Sequence, residues 1–314
     1  MRTINIQNHL AVDEIINPAG LAAKICSAIK DNGILLTSNG EGFNFRSNGL
    51  YDVLDSICDV TGIPKNKIKI ETWNLLEHHE EYSIIRKDEI FGTKWFRYPG
   101  QISRPISDKI LILMGKCNLS RLRIHELVNK VSWREKIIYS FHMDMDITPW
   151  PPGIAQRLSA GQSYGFYKNT TPHSDIGSIL PTPIVTPGNI LGLSHIYEKT
   201  MIEIVPETVS DHGFFVTEKT LRPIFYGRPF LTVAPSGFED NLRKLGFDLD
   251  FRFPSYLERL SDMAKADAIF RFLDNWEFSQ DWFESIMPAL VHNQQVLKEL
   301  AGRNGKIDLS LFNS

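Results

Sequence analysis

Short apolar runs alternate with helix-like segments along most of the chain, and this alternation limits the fold more than any other feature of the sequence. The stretches NGILLT, NKIKIETWN, KILILMGK and MIEIVPET each have the length and composition of a strand. After the first of them, apolar residues recur at helical spacing from Leu50 to Val60, and Gly62 closes that helix. Strands that alternate with helices form parallel sheets, so the sequence predicts an α/β fold.

Two series of strands and helices are separated by a stretch rich in proline and glycine, WFRYPGQISRPISD. The 314 residues are enough for two compact domains of about 100–200 residues each. We therefore predict an N-terminal α/β domain over residues 1–105 and a second α/β domain over residues 106–285. Residues 286–314 are predicted to form a C-terminal helix that packs back on the N-terminal domain.

Composition and charge exclude several classes of protein. The net charge of −3 gives no general attraction to nucleic acid. Cys26, Cys58 and Cys117 form no CxxC pair, which argues against a disulfide framework and against a cysteine zinc site. There is no charged leader followed by an apolar core, and no apolar run approaches the ~20 residues of a membrane span, so we expect a cytoplasmic protein. The absence of GxGxxG and Walker patterns disfavours a dinucleotide oxidoreductase or a P-loop enzyme.

Four polar clusters each follow a predicted strand. They are residues 39–42 (NGEG), 116–123 (KCNLSRLR), 142–146 (HMDMD), and 206–208 together with 217–220 (PET and TEKT). Because ligands of parallel sheets bind at the carboxyl ends of the strands, we expect these clusters to contribute to one shared site.

The TEKT cluster stands between an apolar run, GFFV, which is predicted to be a strand, and a predicted helix. Thr217 is a suitable N-cap residue, and Glu218 is favourable in the first turn of a helix. Lys219 is not explained by capping, because a cation is unfavourable at a helix N-terminus. An anion bound there would explain it, since backbone N–H groups and an ammonium together hold a phosphate. From these residues alone, capping and ligand binding both remain open.

Three motifs in the same order resemble the nucleotide-binding region of α-1,3-fucosyltransferase-type glycosyltransferases. FVTEK, followed by a helix and YGRPF, is similar to the Thr-Glu-Lys signature of that family. Upstream, IVPET stands where the family has a strand that ends in Phe-Glu-Asn, although here Thr208 replaces the asparagine and the spacing is one residue longer. MGKCNLSR is similar to a strand end that leads to an arginine and a helix. The resemblance covers about residues 108–260 and not the N-terminal domain.

The resemblance implies a GT-B fold, in which two Rossmann-like domains face each other across a cleft. It implies a nucleotide-diphosphate sugar as donor substrate, with no obligatory metal or other cofactor in the reaction. By position, Lys219 would contact the diphosphate and Glu218 the ribose. The remaining residues assigned to the nucleotide site are Thr217, Thr220, Glu207, Arg121 and Lys116. The base and the sugar of the donor are not carried over from the family.

An inverting sugar transfer also needs a general base for the acceptor hydroxyl. Glu41 is the first candidate, because it follows a predicted buried strand and has glycines on both sides that allow close approach of a ligand. His142 and Asp144 are the rival candidates. In an extended chain they share one side with Asp146, so this group is equally suited to bind a divalent ion.

The resulting prediction is a glycosyltransferase that moves a sugar from a nucleotide-diphosphate sugar to an acceptor hydroxyl, with a glycan as the expected acceptor. One alternative is a phage-type enzyme that modifies a hydroxymethylated base in DNA, in the host cytoplasm. Residues 149–189 are predicted to form one long loop. Its basic and aromatic residues are suited to nucleic acid as well as to sugar: Trp150, Arg157, Tyr164, Tyr167 and Lys168. The other alternative is a non-catalytic nucleotide-binding module, because the N-terminal domain is short. The sequence leaves the oligomeric state open.

Overall fold

The structure is a computed structural model. It describes residues 2–5, 18–28, 33–37, 45–46, 49–92, 94–114, 118–141, 173–174, 193–207 and 213–312. The chain packs into two compact units. The first unit comprises Met1–Asp88, Asp211–Phe215 and Asp308–Ser314, and the second comprises Glu89–Ser210 and Val216–Ile307. The domain limits at 105/106 and 285/286 stay predictions.

Within the described ranges the chain forms two sheets and eight α-helices. The strands are β1 (Arg2–Asn5), β2 (Ile34–Thr37), β3 (Ile68–Thr72), β4 (Ser83–Arg86), β5 (Lys109–Met114), β6 (Ile137–Phe141), β7 (His173–Ser174), β8 (Thr200–Pro206) and β9 (Phe230–Val233). The α-helices are α1 (Pro18–Ala28), α2 (Leu50–Thr61), α3 (Leu119–Val128), α4 (Ser194–Tyr197), α5 (Glu218–Phe225), α6 (Phe238–Lys244), α7 (Asp262–Leu273) and α8 (Gln280–Gly302).

The first unit contains a parallel sheet in which the strands follow chain order, β1-β2-β3-β4. Right-handed crossovers that always advance in one direction leave their helices on one face of the sheet. Accordingly, α1 and α2 share a core with the inward residues of the strands, which include Ile34, Leu36, Ile68 and Ile70. Lys69 points to the other face and is exposed, which explains the alternation in IKIET.

The second unit contains a sheet in the order β7-β6-β5-β8-β9, in which β6, β5, β8 and β9 are parallel and β7 is antiparallel. Helices cover both of its faces. Residues of α3 and α7 pack on one face and residues of α4 on the other. This double cover explains why β5 and β8 are almost continuously buried and why most of their residues are apolar. The predicted α/β fold with parallel sheets is confirmed.

The prediction that GFFV is a strand was wrong. Residues 213–217 form no helix or strand. The backbone of Phe214 is hydrogen bonded within the first unit, where its N–H donates to the Asn74 side chain at 3.0 Å and its carbonyl accepts from Leu75 N–H at 2.9 Å. An apolar run can be buried by such irregular contacts as well as by a sheet, and its composition does not distinguish the two.

The longest helix, α8, packs on residues close to the predicted domain boundary. Gln294 donates to the carbonyl of Gly100 at 3.1 Å, and Arg97 donates to the carbonyl of Ala301 at 3.1 Å. No helix in the described part of the chain is both long enough and apolar enough to cross a membrane.

Candidate functional site

The order of strands in the second unit defines a position for a ligand. From β5 the chain moves outward to β6, and it later returns past β5 to β8 and β9. In parallel sheets ligands bind beyond the carboxyl ends of the strands where this direction reverses, which here lies between β5 and β8. In the described part of the first unit the strands advance in a single direction, so no such reversal occurs there.

The start of α3 lies at this reversal. Asn118 is the N-cap residue of α3, and its side-chain oxygen accepts from the backbone N–H of Arg121 at 2.9 Å. The Arg121 side chain is buried and donates from Nη2 to the carbonyl of Pro206, the last residue of β8, at 3.0 Å. Arg121 therefore ties the start of α3 to the end of β8. Arg123 instead pairs with Asp267 and Glu126.

The start of α5 lies next to the end of β8. Glu207 directly follows β8, and its buried carboxylate accepts hydrogen bonds from the hydroxyls of Thr217, at 2.9 Å, and Thr220. Burial raises the pKa of Glu207, and the charge of Lys219 and the two hydroxyl donors only partly offset that rise. Three residues assigned to the nucleotide site from sequence, Glu207, Thr217 and Thr220, are thus brought together and hydrogen bonded to one another.

Thr217 is the N-cap of α5, as its sequence position predicted. Its hydroxyl oxygen accepts from the backbone N–H of Lys219 at 3.1 Å, while its hydrogen is directed to Glu207. The cap also accounts for the start of the helix, because Glu218 follows it in the favourable first turn.

Glu218 and Lys219 are the more accessible members of this group. The Lys219 side chain is 14% exposed and that of Glu218 34%, and Lys219 Nζ lies 3.2 Å from Glu218 Oε1. Burial acts to raise the pKa of Glu218, but the charge of Lys219, a backbone hydrogen bond and Arg222 outweigh it, so the pKa lies below its ordinary value. The first turn of α5 therefore carries two oppositely charged side chains in contact, close to the carboxyl end of β8, where Thr217 and Thr220 bond to Glu207.

Arg222, one turn after Lys219, is held in the interior. It forms an ion pair with Glu203 on β8, and its Nε donates to the Tyr197 hydroxyl at 2.8 Å. Tyr197 in turn donates to Glu203. Burial opposes ionisation, but Glu203 and Tyr197 raise the pKa of Arg222 above its ordinary value, so it stays charged. This network was missed from sequence, where the only signal was a glutamate inside the apolar strand MIEIVP.

A second network, also missed from sequence, lies at the carboxyl end of β3 in the first unit. Glu77 accepts hydrogen bonds from the Tyr51 hydroxyl at 2.8 Å, from the backbone N–H of Phe45 at 3.1 Å and from the Asn74 side chain at 3.3 Å. Asn74 and Glu77 are both buried. The signal available in the sequence was a pair of polar residues, three apart, directly after the alternating strand in NKIKIETWNLLE.

Several predicted site residues lie outside the described residues. They are Glu41, Lys116, His142, Asp144 and Asp146. The prediction that Glu41, His142 or Asp144 acts as the base stays a prediction, as does the assignment of Lys116 to the nucleotide site.

Comparisons of the chain with protein-family models, with curated proteins and with solved structures give no match in any of the three. The function is therefore argued from the geometry of the site and from the motifs in the sequence.

Proposed function

We propose that the protein is a nucleotide-sugar-dependent glycosyltransferase with a GT-B arrangement of two α/β domains. The observation that carries the proposal is the position of TEKT: α5 begins at the strand reversal of a doubly wound sheet, with Lys219 in its first turn. A helix N-terminus at this place is suited to an anion, and the lysine adds the charge that a diphosphate requires.

Lys219 is assigned to the diphosphate and Glu218 to the ribose hydroxyls. Both side chains are partly accessible, and the pair they form with each other is a contact that an incoming anion can exchange.

Glu207, Thr217, Thr220 and Arg121 are assigned to the frame of the nucleotide site. Their side chains are buried, and the hydrogen bonds described above join the end of β8 to the starts of α3 and α5. Such a frame fixes the start of α5, with Lys219 and its backbone N–H groups, before the nucleotide sugar binds. Donors that are fixed in advance stabilise the charge that develops on the leaving diphosphate most strongly.

In the proposed reaction the acceptor oxygen forms a bond to the anomeric carbon of the sugar, and the bond from that carbon to the diphosphate oxygen breaks. The general base takes the proton of the acceptor hydroxyl, and Glu41, His142 and Asp144 are the candidates for that role. Lys219 and the N-terminus of α5 stabilise the negative charge that develops on the leaving diphosphate. Because the base acts on the face opposite the leaving group, the transfer inverts the anomeric centre.

A panel of nucleotide sugars, incubated with the full chain and with glycan acceptors, tests this proposal. We expect release of a nucleoside diphosphate from at least one donor, with the sugar recovered on the acceptor. Glu41→Gln is expected to reduce turnover about 100-fold or more if Glu41 is the base. Binding of nucleoside diphosphates without cleavage of any donor would contradict the enzyme and support a binding module.

A further inference from the structure

A small cavity in the second unit lies beside a buried ion pair. Lys265 on α7 pairs with Glu239 on α6, and the two residues are only 1% and 7% exposed. Thr232 on β9 is also buried, and it lines the cavity together with both members of the pair. The pair and the cavity thus lie where three elements of the second unit meet.

The ion pair uses one of the two carboxylate oxygens of Glu239. Oε1 accepts hydrogen bonds from Lys265 Nζ and from the Thr232 hydroxyl. Oε2 is buried as well, but it has no hydrogen-bond partner in the described part of the chain. Lys265 Nζ also donates to Thr232 Oγ1 at 3.4 Å, so within the same residues two of the three N–H donors of the ammonium are used. One acceptor and one donor therefore stand side by side without a protein partner in that part of the chain.

A carboxylate oxygen in this position needs a donor. Buried polar atoms are almost always hydrogen bonded, either to the protein or to ordered water. An acceptor left without a partner costs free energy, and a charged acceptor costs more than a neutral one. Because Glu239 lines the cavity, a molecule that occupies the cavity is placed to supply that donor.

The size and the charge of the cavity limit what this molecule can be. The volume open to water-sized molecules is about 30 Å³. One water needs about 10–15 Å³ of such volume, so the cavity holds about two waters at most and is too small for a sugar or a nucleotide. The ion pair carries no net charge, so it favours neither an anion nor a cation. The remaining lining is mainly apolar, with Phe230, Leu249, Phe251, Phe253 and Leu257 among its residues.

We propose that this cavity is a binding site for an ordered water molecule, which donates to Glu239 Oε2 and accepts from Lys265 Nζ. Water is the neutral molecule that fits the volume and both donates and accepts hydrogen bonds. With the water bound, both oxygens of Glu239 and all three donors of Lys265 are satisfied, and the network joins β9, α6 and α7. None of these residues is assigned to the nucleotide site, so the inference does not rest on the proposed function.

A crystal structure of the full wild-type chain, at a resolution that shows ordered water, tests the proposal directly. We expect an electron-density peak for a water in the cavity, within about 2.7–3.2 Å of both Glu239 Oε2 and Lys265 Nζ. An empty cavity would overturn the inference. It would also be overturned if a protein group or a larger molecule were found bonded to Oε2.

Two variants test which groups hold the water. The double variant Glu239→Leu/Lys265→Met replaces the ion pair with apolar side chains, and we expect its structure to show no water there, because apolar cavities stay dry. Thr232→Val is the matched control, since it removes a hydroxyl of the same network and keeps the ion pair, and we expect it to retain the water. A peak that persists in the double variant, or that disappears in Thr232→Val, would contradict the assignment. If the double variant does not fold, the wild type and Thr232→Val decide.

Discussion

At the scale of single residues, two ion pairs that involve α5 differ in their exposure to solvent. Lys219 and Glu218 form an accessible pair, whereas Arg222 and Glu203 form a buried one. The sequence alone could identify the first group, because a lysine at a helix N-terminus conflicts with the helix dipole. It could not assign Arg222, since its partners Glu203 and Tyr197 are brought to it only by the packing of α4 and α5 on β8.

The buried Arg222–Glu203 pair gives a prediction about stability. Arg222→Met leaves the Glu203 carboxylate buried without its counter-charge, and we expect the free energy of unfolding to fall by about 3–5 kcal/mol. The double variant Arg222→Met/Glu203→Gln removes that charge and keeps an acceptor for the Tyr197 hydroxyl, so we expect it to be more stable than the single variant. Urea unfolding measures both. A double variant less stable than Arg222→Met would contradict the prediction.

Glu207 and Glu218 are expected to respond to pH in opposite directions. The pKa of Glu207 is raised, mainly by burial, so Glu207 contributes stability below the ordinary value of about 4.3 and loses it as the pH rises through its folded pKa. The pKa of Glu218 is lowered because Lys219 and its other partners outweigh burial, so its contribution is present above about 4.3 and is lost as the pH falls through its folded pKa. We compare the unfolding free energy of the wild type with those of Glu207→Gln and Glu218→Gln from about pH 3 to about pH 8. The stability difference between the wild type and each variant should change with pH in opposite directions for Glu207→Gln and Glu218→Gln. A change in the same direction for both variants would contradict these assignments.

At the scale of elements, most strands and helices could be predicted because their periodicity is local. KILILM is mainly apolar, which is typical of a parallel strand covered on both faces. IKIET alternates apolar and polar residues, which is typical of a strand covered on one face. Thr217 could likewise be identified as a cap. The segment GFFV could not be assigned correctly, because the partners of Phe214 are Asn74 and Leu75, about 140 residues earlier in the chain.

The end of α5 gives a prediction at the scale of an element. Gly227 follows the helix with a φ of +60°, and a Cβ there would lie 2.5 Å from Cγ1 of Ile102. Gly62 ends α2 with a φ of +68°, and a Cβ there meets no atom within 4 Å. Both Gly→Ala substitutions carry the left-handed backbone cost of about 1–2 kcal/mol, and only Gly227→Ala adds a clash. Thermal unfolding is expected to show the larger loss for Gly227→Ala, and equal losses would mean that Ile102 moves aside freely.

At the scale of the whole molecule, the two units differ in the direction of their strand order. The described strands of the first unit advance in one direction, whereas those of the second reverse between β5 and β8. The alternation of strands and helices predicted parallel sheets but not the order of the strands within them. That order depends on the side of the existing sheet to which each new strand is added. The place of the proposed nucleotide site could therefore be predicted from sequence only through the TEKT, PET and NLSR motifs.

The most direct test of the central claim is the affinity of the chain for nucleoside diphosphates, measured by isothermal titration calorimetry. We expect the wild type to bind at least one of them, and Lys219→Ala to weaken that binding about 10-fold to 100-fold, the loss of a charge-assisted contact worth about 1.5–3 kcal/mol. Lys130→Ala is the matched control, because Lys130 is exposed and lies two residues beyond the C-terminal end of α3. The Lys130→Ala variant should bind nucleoside diphosphates as tightly as the wild type does. A wild type that binds no nucleoside diphosphate, or a Lys219→Ala variant that binds as tightly as the wild type, would contradict the account.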